Sequence, residues 1–246
     1  MKKQTTAWTL ATLTLLVIIA VVIPFIYSEP VGVSILYNNS STAAIVNTSR
    51  ADDGGTITIL NLNADQQNDG WKGYVGNVTG KFTLDDSDGY SIYDWTFTIT
   101  VGEVYITRAS SPTWSGAECA GTTVITAEET YFNMLPAQAD EITDTFNETI
   151  HANFRVGSIN ITNSTCPSTF TYQNDTRPTT RNESIPFQEV LLQMNGTSDD
   201  LVYVSLLETD AMGYNVNRTF DFQAIIPDNT TFDGMTIYYF FAELGY

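Results

Sequence analysis

Histidine is all but missing from this chain: His151 is the only one in 246 residues. Without a second imidazole there is no paired-histidine zinc site, and H-E-x-x-H spacing does not occur. A serine or cysteine nucleophile needs a base beside it. His151 stands in "NETIHANFRV", with no serine elbow or reactive cysteine to serve, and reads as an ordinary surface or interface histidine. Positive charge is scarce too. Ten Lys and Arg face 28 Asp and Glu, a formal net charge of −18, and two of the ten, Lys2 and Lys3, precede the first apolar run. From Ser28 onward, eight basic residues are set against 28 acidic ones. Such a surface repels polyanions, which excludes nucleic acid and anionic lipid headgroups as partners. It suits a solvated exterior, or one that holds divalent cations.

A phosphate loop is missing as well. "GWKGYVGNVTG" (70–80) carries four glycines and a lysine. No Ser or Thr stands after that lysine and no helix pattern comes after the glycines, so the spacing and context of a Walker motif fail. The glycines read as bends that turn Trp71, Tyr74 and Val75 inward. No period of 20–50 residues repeats, which excludes a solenoid.

Long apolar runs are confined to the N-terminus. Two lysines precede an uncharged stretch from Ala7 to Ile23, with Pro24 next. A positive start before an apolar run directs the downstream chain across the membrane. As a helix, the run spans roughly 25 Å, and Phe25 to Tyr27 can extend it. Residues 1–28 are expected to be a signal or anchor helix, cleaved after Ser28 or retained, with the membrane as a partner in the second case. Residues 29–246 are then exported.

Asparagine use points the same way. Acceptors of the form Asn-x-Ser/Thr occur at Asn38, Asn39, Asn47, Asn77, Asn147, Asn160, Asn163, Asn174, Asn182, Asn195, Asn217 and Asn229, twelve of the 18 asparagines. With Ser and Thr at 52 positions, random placement gives about four. The excess predicts N-glycosylation on exposed loops around the domain. Cys119 and Cys166 are an even pair in an exported chain and are expected to form one disulfide. Among the carboxylates, Asp85, Asp86 and Asp88 in "DDSDG" offer several oxygens within a short span, as calcium loops do. The stretch lacks the later ligands of an EF-hand and sits where a hairpin turn needs small polar residues, so turn chemistry is the competing account.

Alternating apolar and polar residues mark strands in "VGVSILYNNSS" and "TITILNLN". "KFTLDDSDGYSIYDW" reads as a hairpin turning at Ser87 to Gly89, and "TFTITVGEVYITR" as a second one bent at Val101–Gly102. "TAEETYFNMLPAQADEITDTFN" (126–147) holds two short helices split by Pro136, the first capped by Thr126 with Glu129 three residues on. Strands resume in "FRVGSINIT", "STFTYQ", "FQEVLLQM", "LVYVSLLET", "TFDFQAIIP" and "TIYYFFAELGY". The fold class expected is mainly β: an antiparallel β-sandwich over 29–246 with a helical insert at about 126–147.

"GWKGYVGNVTGKFTLDDSDGYSIYDW", with "GEVYITR" after it and "FQEVLL", "FDFQAIIP" and "YYFFAELGY" at the end, resembles a family of uncharacterised archaeal cell-surface proteins. The resemblance covers most of the chain after residue 28 and implies an exported or membrane-anchored, β-rich protein. It brings no catalytic residues. The function expected is a non-catalytic surface glycoprotein with a structural, adhesive or protective envelope role, in contact with other envelope proteins or glycans. A pilin-like filament subunit and a carbohydrate- or cation-binding surface module, with calcium as the candidate cation, are the alternatives.

Overall fold

The computed structural model describes residues 29–40, 66–97, 101–194, 201–228 and 236–245. The N-terminal hydrophobic run, the expected strand "TITILNLN" and the sequons at Asn47, Asn195 and Asn229 lie outside the described residues. Among the described residues no helix is long and apolar enough to cross a membrane.

The chain is mainly antiparallel β. Its strands are β1 (Val31–Gly32), β2 (Trp71–Gly76), β3 (Gly80–Asp85), β4 (Ser91–Phe97), β5 (Val101–Thr107), β6 (Ala117–Cys119), β7 (Phe154–Val156) and β8 (Ile159–Ile161). They continue as β9 (Ser168–Phe170), β10 (Gln188–Met194), β11 (Leu201–Leu206), β12 (Ala211–Met212), β13 (Thr219–Phe220), β14 (Phe222–Pro227) and β15 (Tyr239–Gly245). Two helices, α1 (Thr122–Tyr131) and α2 (Ile142–Thr145), lie between β6 and β7.

Seven strands form the main sheet, ordered β1-β15-β5-β11-β10-β6, with β9 also on β10. Sequence dictates which strands are central. β10 and β11 read as near-continuous apolar runs, "VLLQM" and "LVYVSL", because a strand covered on both faces has no solvent side for polar residues. Side chains alternate between two cores. On one face Val104, Ile106, Leu191, Leu201 and Tyr203 pack with Val124 and Ile125 of α1, Ile142 of α2 and Ala224 and Ile226 of β14. On the other, Tyr105, Val190, Leu192, Val202 and Val204 pack with Trp114 and the β7–β8 hairpin. The ribbon of β14 and β2 is tied to the sheet by polar groups as well. Ser205 Oγ donates to the Gln223 carbonyl at 2.8 Å, and the buried Glu189 carboxyl accepts from Ile225 N at 2.9 Å. Burial pushes the pKa of Glu189 well above the carboxylate range.

Several expectations change. The first helix begins at Thr122, not Thr126. Its start is fixed from the sheet, where Gln193 Oε1 accepts from Gly121 N at 2.7 Å. Thr126 is mid-helix, its carbonyl accepting from Thr130 Oγ1. Glu129 instead joins the helices by accepting from Thr143 N and Oγ1, each at 2.8 Å. Val101–Gly102 is no bend but the start of β5, paired with Gly245 and Leu244 of β15. A Cβ on Gly102 would lie 2.3 Å from the Glu243 carbonyl oxygen, and its φ is +148°; close strand approach is what requires glycine there. "WKGYVG" is strand β2 itself, with Trp71 and Tyr74 half-buried but Val75 exposed. Among the described residues of "VGVSILYNNSS" (31–40), only Val31–Gly32 is strand, and Ile35, Leu36 and Tyr37 are exposed.

The "KFTLDDSDGYSIYDW" hairpin forms as expected, β3 pairing β4. Register places Phe82 opposite Trp95 and Leu84 opposite Tyr93, so these four share one face of the ribbon. All four are at least a third exposed.

Candidate functional site

The site is built around His151, which local sequence offers no reason to place inside. It has no exposed surface. Its Nδ1 lies 2.8 Å from the Ala152 carbonyl, and its Nε2 accepts from Thr165 N at 3.1 Å and Cys166 N at 3.0 Å. An imidazole nitrogen that accepts two N–H groups carries no proton, so the proton is on Nδ1. The ring is thus a neutral hub around which 162–166 folds, with Ser164 N donating to the His151 carbonyl and Thr165 Oγ1 closing on the Thr162 carbonyl. The surface reading of His151 is corrected: loop backbone groups that would otherwise be buried unpaired use the ring as their acceptor.

Cys166 leaves this loop and bonds to Cys119, the disulfide the sequence predicts. β6 ends at Cys119 and β9 begins just after Cys166, and both pair with the same edge of β10, β6 at Leu192 to Met194 and β9 at Gln188 to Val190. The bridge therefore joins two short strands that together cover one edge.

A second buried amide completes the arrangement. Gln188 Oε1 accepts from Ala152 N at 2.6 Å, while its Nε2 donates to the carbonyls of Glu183 and Ile185. Segment 181–185 is thereby held beside 150–152. Between it and the His151 loop lies an open depression of about 510 Å³, lined by Ile150, Ser164, Arg181, Asn182, Glu183 and Ser184. Arg181 pairs with Glu148. Glu183 accepts from Asn163 Nδ2 and from Ser164 Oγ, and these bonds hold its pKa below the usual value.

Three sequons converge here. Glu148 is the middle residue of the Asn147 sequon, Ser164 of the Asn163 sequon and Glu183 of the Asn182 sequon. Elsewhere Asn38, Asn39, Asn77, Asn160, Asn174 and Asn217 are spread over the described surface, and all nine described sequon asparagines are exposed. The acceptors were legible in the sequence; their convergence around the disulfide, and the roles of His151 and Gln188, were not.

The carboxylates Asp85, Asp86 and Asp88 are committed to the β3–β4 turn or left exposed. Asp86 Oδ1 accepts from Asp88 N and Tyr90 N, each at 2.9 Å, and Asp85 accepts from Ser91 Oγ and Thr83 Oγ1. Gly89, at φ +84°, completes the turn. Among the described residues no group of three or more His, Cys, Asp or Glu side chains is placed to hold a metal ion. One carboxyl pair does meet: Glu103 and Glu243 are register partners on β5 and β15. Tyr105 Oη, itself 2.9 Å from the Arg155 carbonyl, lies 3.2 Å from Glu243 and 3.5 Å from Glu103. Burial first, then the neighbouring charge, raises the pKa of Glu103 well above normal. Gly157 N donates to Glu243 at 2.9 Å, so the pair seats the β7–β8 turn on the sheet.

The neutral hub predicts a pH dependence. Burial lowers the pKa of His151 below 6.5, so the unfolded chain takes the proton more readily than the fold. The stability contributed by the neutral ring is complete above about 6.5 and is lost as pH falls through the lowered folded value. The share of the urea midpoint that depends on His151 is expected to shrink between pH 7 and pH 5, while the raised carboxyls of Glu103 and Glu189 favour the fold as pH falls. His151→Gln, which cannot take a proton, should therefore differ from the native chain in its slope by the missing His151 loss. Equal slopes in both proteins would refute the assignment.

No family model, curated protein or solved structure matches the chain.

Proposed function

We propose that the chain is an exported surface glycoprotein, anchored at the membrane or secreted, with a structural, adhesive or protective envelope role and no catalytic activity. The observation that carries this reading is the convergence of exposed sequons on a disulfide-braced face, with all nine described acceptors open to solvent. Glycans there would cover backbone edges and hinder proteases, while the bridge holds their attachment points in place. The acidic surface adds solubility outside the cell. The small ribbons on both faces of the main sheet support assigning the domain to the sandwich class. The resemblance to archaeal surface proteins agrees with the same reading. Intact mass before and after deglycosylation, on protein taken from its own cells, tests it. The expected result is a loss of several glycan masses; an unmodified mass overturns the reading.

A further inference from the structure

We infer that the depression beside the disulfide is the seat of the first sugar of a glycan carried by Asn182, an inference that rests on the glycoprotein reading.

The three sequons at this face are not equivalent. Asn163 Nδ2, the atom a glycan would use, donates to Glu183. Asn182 is arranged the other way: its Oδ1 accepts from Ser184 N at 2.9 Å, which orients the carboxamide and leaves Nδ2 without a hydrogen-bond acceptor among the described residues. Asn182 also lines the depression itself, so a sugar bonded directly to its Nδ2 starts at the rim.

The lining suits a pyranose ring. A sugar has apolar C–H faces and a hydroxyl rim. Ile150 offers a half-buried apolar surface, and Arg181, Glu183, Ser164 and Ser184 surround it with donors and acceptors. The charged groups are already met, Arg181 by Glu148 and Glu183 by Asn163 and Ser164, so the surface favours a neutral polyol over an ion. The walls are fixed beforehand: Gln188 holds 183–185, His151 holds 165–166, and the disulfide ties Cys166, at the end of the 162–166 loop, to Cys119 of β6. A seat already in place spares the sugar an ordering cost.

Attachment requires an activated donor, a glycosyl phosphate or pyrophosphate carried on a lipid of the exporting cell. The new bond joins Asn182 Nδ2 to the anomeric carbon. The anomeric C–O bond to the phosphate breaks, the phosphate oxygen keeps that electron pair, and one carboxamide proton passes to a base.

The test uses the full chain purified from its own cells, with glycopeptide mass spectrometry at each sequon and hydrogen exchange before and after deglycosylation of the folded protein. A glycan is expected at Asn182, and its removal should speed amide exchange in 148–151 and 181–184 by about tenfold. Ser184→Ala, which removes the acceptor motif but keeps Asn182, should reproduce the change, while Asn217→Gln, on the β12–β13 turn, should not. A glycan at Asn182 whose removal leaves exchange unchanged overturns the seat. So does an empty Asn182 beside occupied sites elsewhere; both results leave the glycoprotein reading standing. Absence of glycan from every sequon overturns both.

Discussion

The double variant Cys119→Ala/Cys166→Ala is expected to unfold with about 4 kcal/mol less free energy than the native chain, the entropy of leaving a loop of this length open. The bridge spans a sequence separation of 47. Alanine keeps the buried Cys166 position apolar, so the loss reports the cross-link more than the polarity of the site. β6 and β9 each meet β10 through three register pairs, too few to hold independently ordered strands. The urea midpoint should drop by roughly 1.5 M for a chain of this size. A shift below about 0.3 M would show that the sheet edge is held without the bridge.

Arg108→Met is expected to cost about 3–5 kcal/mol, because it removes the guanidinium from a carboxylate that remains buried. Arg108 Nε and Nη2 reach the two oxygens of Glu128 at 3.1 and 2.5 Å, and the two side chains are only 9% and 1% exposed. The guanidinium also lies 3.7 Å above the Tyr131 ring, a cation–π contact that methionine replaces with ordinary packing. The signature is in the pH dependence. Left without its cation, Glu128 gains by taking up a proton, so the loss should be smaller at pH 5 than at pH 8. Adding Glu128→Gln should recover part of the stability, and the double-mutant cycle gives the coupling. A loss that is constant with pH would assign the effect to packing alone.

Local chemistry was the legible part of this fold. The β3–β4 turn could be read from "DDSDG" because Asp86 and Gly89 act within four residues of themselves. The terminal strands could be read from their apolar runs. What escaped is what distant residues decide. α1 starts where it does because Gln193, 72 residues away, holds Gly121 N; nothing near Thr126 reports that. Gly102 looked like a bend because the reason for it is the carbonyl of Glu243 across the sheet. Val190 and Leu191 are adjacent apolar residues that enter different cores, and only the layers packed on each face reveal it. The site divides in the same way. Its sequons are three-residue patterns, whereas the neutral role of His151 depends on two N–H groups brought to it by the folding of 162–166.

The two-residue β1 gives the domain a mechanical character. Among the described residues, a pull on the chain before Glu29 meets Glu29 beside Gly157 and the buried Pro30, and then β1, whose ladder with β15 has two register pairs, with a further bond from Val33 N to the Phe240 carbonyl. β15 is zipped to β5 over seven register pairs, and the disulfide closes the far edge of the sheet. On the proposed anchored reading, tension is expected to peel the short β1–β15 ladder before it opens the seven-pair β15–β5 ladder, leaving the sheet and its exposed sequons folded.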